Sequence, residues 1–177
     1  MDSCLTKSEV DCFWISLTKP EQAIATSILK NEYLPLAAFA RQAWHVVEQG
    51  TPYIHGWHID AICEHLEAVT RQQIKNLIIN IPPGSTKTLT CSIMFPVWCW
   101  TRWHWMRFIT ASYSASLALE SAEKSRDLVR SDKFRRLWPE IVIKEDKDTK
   151  SNFQVSRMIK EKGKTKFMHG GNGTPHR

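Results

Sequence analysis

Five consecutive residues, Gly84-Ser85-Thr86-Lys87-Thr88, hold the clearest capacity for chemistry in this chain. They follow a short aliphatic run, Asn76-Leu77-Ile78-Ile79-Asn80-Ile81, and a double proline, Pro82-Pro83, and they open a segment of helical character. Backbone N–H groups at the start of a helix are unpaired and lie at the positive end of its dipole, so such a loop suits phosphate groups. A lysine at the helix start reaches the β- and γ-phosphates of a nucleotide, and the hydroxyl after it holds Mg2+. Lys87 and Thr88 stand in that order. The strict phosphate-loop pattern wants glycine six residues before the lysine and directly before it. Here those places hold Ile81 and Thr86, and Gly84 is the one glycine of the loop. A wrapped loop with positive φ at position 86 would put threonine in a conformation it disfavours. Read alone, these residues fit equally a plain strand–turn–helix corner with a solvent-facing lysine.

The elements that must position the loop are readable from periodicity. From residue 19 to 49 the pattern is helical, with Leu29, Leu34, Leu36, Ala37, Phe39, Ala40, Ala43, Trp44 and Val47 recurring at three- and four-residue steps. Gly50-Thr51-Pro52 breaks it. A second helix is expected over 57–70, with Ile59, Ile62, Cys63, Leu66 and Val69 on one face. Residues 76–81 have the length and composition of a buried strand. Residues 87–99 then read as helix, with Pro96 able to kink it. Residues 107–113 read as a second strand, and Ser114 or Ser116 can cap a long helix through Arg130. Ser131-Asp132 can cap a short helix over 133–137. Strands and helices alternating in this way predict a parallel sheet built from right-handed crossovers.

Composition sets wider bounds. The chain has 177 residues, 42% hydrophobic and 24% charged, which describes a globular domain with a core rather than a disordered chain. Its net charge of +6 permits a polyanionic partner without demanding one. The five cysteines form no C-x-x-C pair and are odd in number, which fits reduced, mostly buried thiols in a cytosolic protein. No signal peptide is apparent at Met1-Asp2-Ser3-Cys4-Leu5. The apolar stretch over 89–109 is interrupted by Pro96, Arg102, His104 and Arg107, well short of the ~20 apolar residues a membrane span needs.

The residues around the loop carry a resemblance. The string from Leu77 through Ile81-Pro82-Pro83-Gly84-Ser85-Thr86-Lys87-Thr88 resembles the deviant phosphate loop of phage terminase large subunits, the ATPases that package viral DNA. Further blocks fit that family in order: Trp57-His58-Ile-Asp-Ala-Ile-Cys-Glu-His-Leu66 before the loop, then Ser92-Ile-Met-Phe-Pro-Val-Trp-Cys-Trp100. After these come Arg107-Phe-Ile-Thr-Ala-Ser-Tyr113, Leu117-Ala118, Arg126-Asp-Leu-Val-Arg-Ser-Asp132 and Leu137-Trp138-Pro139. The resemblance spans roughly residues 50 to 140. It implies a partial ASCE-type P-loop NTPase, a three-layer α/β sandwich with a parallel sheet. On this view residues 1–56 form a helical lead-in, 57–143 the partial ATPase domain, and 144–177 a polar, poorly ordered or truncated tail. It also implies ATP and Mg2+ as ligands, with Gly84, Ser85 and Thr86 wrapping the phosphates. Lys87 would neutralise charge at the β–γ bridge as the catalytic cation, and Thr88 would ligate Mg2+. Trp57 and His58 are possible base contacts. Implied partners are double-stranded DNA, a terminase small subunit, a portal protein and further copies in a homo-oligomeric ring, in the cytoplasm of a bacterial host and away from membranes.

One requirement of ATP hydrolysis is missing. It calls for a strand of apolar residues ending in Asp and a second acidic residue. Ile141-Val-Ile-Lys-Glu-Asp146 imitates this, but Lys144 breaks the apolar run. A Thr-Lys-x-x-Phe-like block of the family is matched loosely by Thr149 to Phe153 or by Thr165 to Phe167. Residues 154–177 follow the family poorly, and the expectation is a truncated or frameshifted chain that binds nucleotide at best and does not turn it over efficiently. The alternative is a non-hydrolysing ATP- or DNA-binding remnant of a prophage gene.

Three other clusters favour ordinary structural roles. His55, His58, Cys63 and His65 do not share one helix face as a metal site needs. Trp98 suits the core, and Trp100, Trp103 and Trp105 suit a cap over the junction between helix and second strand, better than a membrane or nucleic-acid surface. Lys124, Arg126, Arg130, Lys133, Arg135 and Arg136 are interspersed with Glu120, Glu123, Asp127 and Asp132, as on a solvated face.

Overall fold

Pro35 sets an extended backbone (φ −61°, ψ 150°) from which helix α1, Leu36–Val47, begins. The computed structural model describes residues 34–148, 153–161 and 164–176; the expected helical stretch before residue 34 and positions 149–152 lie outside the described residues. α1 buries Leu36, Phe39, Ala40 and Ala43, a three–one–three spacing that lays one stripe against the core. Its first N–H, on Leu36, donates at 2.7 Å to the Glu67 carboxylate. A helix start leaves such donors unpaired, and a negative partner also suits the dipole. Glu67 belongs to α2, Trp57–Thr70, which has the expected bounds and buries Ile59, Ile62, Cys63 and Leu66.

Beyond the loop the chain enters a helix whose first part is widened. Leu89–Met94 is a π-helix, followed by α3, Phe95–Arg102. Pro96 explains the widening. In a regular α-helix its ring would collide with the carbonyl four residues earlier. The wider turn instead lets the Phe95 N–H reach the Thr90 carbonyl, five residues back. α3 buries every residue from Phe95 to Trp100, so it is the central helix of the domain. Trp98 and Arg102 both donate to the Leu34 carbonyl, at 3.0 and 2.6 Å, and the Arg102 guanidinium lies over the Trp98 ring. These contacts tie the start of α1 to the end of α3.

Strand β1, Phe108–Ala111, falls within the expected 107–113. α4, Ala115–Arg130, and α5, Asp132–Leu137, also fall where periodicity places them, and the Ser131 hydroxyl accepts from the Phe134 N–H to cap α5. Three further strands follow: β2, Ile141–Asp148, β3, Phe153–Glu161, and β4, Lys164–His176. The sheet order is β1-β4-β3-β2. Phe153 and Val155 are fully buried, and the Phe153 ring meets the edge of Trp100 with centroids 5.6 Å apart.

The sheet overturns the expected fold class. A P-loop sandwich needs a parallel sheet with the loop-bearing strand inside it. Here β2–β3 and β3–β4 pair antiparallel, and parallel pairing is confined to β1 beside β4. Residues 76–81 belong to no strand. The reason lies in connection length. Four residues separate β2 from β3 and two separate β3 from β4, whereas a parallel crossover takes about a dozen. Neighbouring extended segments so joined pair locally. The described chain is a largely helical body with a mainly antiparallel sheet, not a three-layer parallel sandwich.

Candidate functional site

Residues 82–88 leave the extended segment 76–81 and turn sharply into the π-helix. Two of them have left-handed backbone: Gly84 at φ +81° and Thr86 at φ +59°. At Gly84 an added Cβ would meet nothing within 4 Å, so the requirement there is conformational, not spatial. Thr86 is the unusual one. A β-branched residue at positive φ is an outlier costing roughly 1–3 kcal/mol, and such strain concentrates at ligand-binding turns. It falls on the position where the phosphate-loop pattern asks for glycine. Left-handed residues alternating with ordinary ones turn successive N–H groups inward, the arrangement that makes an anion-binding nest. The Thr86 hydroxyl is buried without a hydrogen-bond partner, and the Thr86 carbonyl accepts from Thr90 N–H at 2.9 Å.

This loop forms one wall of an open cleft of about 460 Å3, lined by Pro82, Pro83, Gly84, Ser85, Thr86, Lys87, Thr88 and Leu89. That volume lies within the roughly 300–1,000 Å3 of small-molecule clefts. Lys87 is half-buried, Thr88 is exposed, and no described carboxylate pairs with Lys87. The Lys87 charge does reach Cys91, one turn further on; burial raises the Cys91 thiol pKa and Lys87 partly offsets this.

The opposite wall is built from the end of α1 and the turn after it, through Trp44, Glu48 and Thr51. Trp44 Nε1 donates to the Thr51 carbonyl at 2.7 Å, and the Trp44 and Tyr53 rings pack nearly perpendicular, 5.5 Å between centroids. Glu48 accepts from Lys124 at 3.0 Å, and Lys124 also contacts Glu120 at 3.2 Å. Hydrogen bonding to Glu48 is the main cause that raises the Lys124 pKa above its ordinary value. The cleft therefore brings together the Lys87 side chain, the turn at residues 82–88, an aromatic ring and a carboxylate already held by a lysine.

Comparison with family models, curated proteins and solved structures gives no match.

The sequence-predicted residues divide accordingly. Gly84, Ser85, Thr86, Lys87 and Thr88 are brought together at the cleft. Trp57 and His58 do not line it; Trp57 is 81% exposed at the start of α2, and the His58 ring folds back over Gly56. Trp44 and Glu48 were missed as site residues. Their four-residue spacing puts them on one helix face, but periodicity does not say which face meets a loop almost forty residues later.

His55 contacts Asp60, the His65 Nδ1 atom meets the Ala61 carbonyl, and the buried Cys63 thiol is pushed up to about 12 by desolvation. No group able to hold a metal ion occurs among the described residues. Trp98 and Trp100 are core, while Lys133 donates to the Gln42 carbonyl. No described helix is long and apolar enough to cross a membrane.

Proposed function

We propose that the chain binds ATP with Mg2+ at residues 84–88, as the amino-terminal part of a terminase-like motor that packages double-stranded viral DNA. The observation that supports this is the strained loop: Thr86 held at φ +59° beside Lys87, at the mouth of an open cleft. Strain of that kind persists where a ligand-binding geometry is worth maintaining. The residues present fit the triphosphate. Loop N–H groups and the Lys87 ammonium would face its charge, and the Thr88 hydroxyl would hold Mg2+. The bound metal would screen charge between the β- and γ-phosphates; positioning the triphosphate falls to the loop.

Turnover is a separate matter. Among the described residues the only carboxylate on the cleft walls, Glu48, is occupied by Lys124, and none of the lining residues supplies an acid at a strand end. The chain by itself binds without efficient hydrolysis. Double-stranded DNA, a small subunit, a portal protein and a homo-oligomeric ring belong to this reading as partners, in the cytoplasm of a bacterial host. The positive net charge and the exposed pair Arg135 and Arg136 suit the DNA contact. A non-hydrolysing remnant that keeps only the ligand site is the second reading, favoured by the lack of a strand-end acid lining the cleft among the described residues.

Calorimetry of ATP with Mg2+ against the wild type and Lys87→Ala tests the proposal. Binding that the variant loses, with its fold intact by circular dichroism, supports it. Equal binding by both proteins, or none by the folded wild type, removes it. Measurable turnover by the chain alone, lost in Lys87→Ala, would set aside the remnant reading and also the absence of efficient hydrolysis.

A further inference from the structure

The cleft beside the loop is larger than phosphate groups need, and its second wall is not built for phosphate. Glu48 brings negative charge, and the Trp44 ring brings a broad apolar surface. Trp44 is also fixed in place. Its N–H is committed to the Thr51 carbonyl at 2.7 Å and its ring packs nearly perpendicular to that of Tyr53, so the ring does not have to be ordered when a ligand arrives. It remains only half-buried at the end of α1. A pre-oriented indole across a cleft from a phosphate-binding loop is the arrangement a nucleobase can stack upon.

We propose that Trp44 is the nucleobase platform of this cleft, which makes the ligand a purine nucleoside triphosphate and gives α1 a direct part in binding. The proposal rests on the reading of residues 84–88 as the phosphate site. It replaces Trp57 and His58 as base contacts, since neither lines the cleft. It also fixes the kind of selectivity. Stacking grows with ring area and is tolerant of the groups on the ring edge. The one side-chain carboxylate on that wall, Glu48, is held by Lys124. Purines are therefore preferred to pyrimidines, while ATP and GTP bind alike.

The test compares Mg2+-ATP with Mg2+-tripolyphosphate, which has the phosphates and no base. In the wild type ATP binds roughly tenfold or more tightly than tripolyphosphate, the scale of one stacked base. Trp44→Ala loses that advantage and leaves tripolyphosphate affinity unchanged, and Trp44→Phe restores most of it. If Trp44→Ala weakens both ligands equally, Trp44 only supports the wall and the proposal fails. It fails also if wild-type ATP and tripolyphosphate bind alike, a comparison that needs no variant. Tripolyphosphate binding abolished by Lys87→Ala would show the phosphate site standing even then. A wild type that binds neither ligand overturns the phosphate site and this inference together.

Discussion

Four of the six residues 76–81 are aliphatic, yet Ile78 stands 93% exposed and the segment makes no backbone hydrogen bond with other described residues. Strand β3 begins in a polar, charged part of the chain, yet Phe153 and Val155 are 1% and 0% exposed and its ladder partners lie on both sides. The first region has apolar residues and no neighbour; the second has few apolar residues and two neighbours. A strand is a pairing before it is a composition, because each extended residue presents an N–H and a carbonyl that need partners. Leu77, Ile79 and Ile81 do rest against the core on alternate positions, so residues 76–81 have the pleat of a strand without the ladder. The strained loop follows directly on that unpaired segment, while β3 lies inside a hydrogen-bonded sheet.

The sharpest way to break this comparison is at Phe153. Removing its ring from between Trp100 and the rest of the core should cost about 3–5 kcal/mol, as buried Phe→Ala changes do. Denaturant unfolding of Phe153→Ala measures it. A loss below about 1 kcal/mol would mean that β3 contributes little to the core and that the polar tail is as dispensable as its composition suggests.

The helices and β1 were legible because each has a local signature. α2 shows its stripe at Ile59, Ile62, Cys63 and Leu66, and α5 announces itself through Ser131. The strained position was legible too, since a phosphate loop with threonine in a glycine place forces the question of its φ. What the sequence did not disclose was which extended segments would meet. A run such as Asn76-Leu-Ile-Ile-Asn-Ile81 looks alike with or without a partner strand. β2, β3 and β4 pair antiparallel although β2 contains Lys144-Glu145-Asp146, a run that reads as solvated charge. The Trp44 wall was hidden for a similar reason: it depends on how α1 packs, and only the folded chain sets that.

A smaller effect is expected at Thr86. Glycine there relieves left-handed strain of roughly 1–3 kcal/mol but loses about 0.5–1 kcal/mol to the freedom of the unfolded chain. Thr86→Gly should therefore stabilise the protein by about 1 kcal/mol, read from the shift in the denaturation midpoint. Stabilisation would mark the loop side as the place where the fold carries strain, in contrast to the sheet side. A loss of stability instead would mean that φ at position 86 is not positive in solution, which would also weaken the case for the phosphate nest.

The smallest change in stability, and the finest probe of the unpaired region, is Ile78→Lys. With 93% of its surface open, Ile78 contributes almost nothing to the core, so the substitution should alter stability by no more than about 0.5 kcal/mol. Its effect should fall on association. An extended, uncharged run with an exposed aliphatic centre and free backbone donors is a template for another strand, and a lysine on such an edge opposes pairing. Light scattering over a concentration series should then show the wild type self-associating and Ile78→Lys resisting it, at matched stability. A destabilisation above about 2 kcal/mol would point the other way. It would mean that Ile78 is covered in solution, that residues 76–81 have found a ladder partner, and that the two regions differ less than their exposure implies.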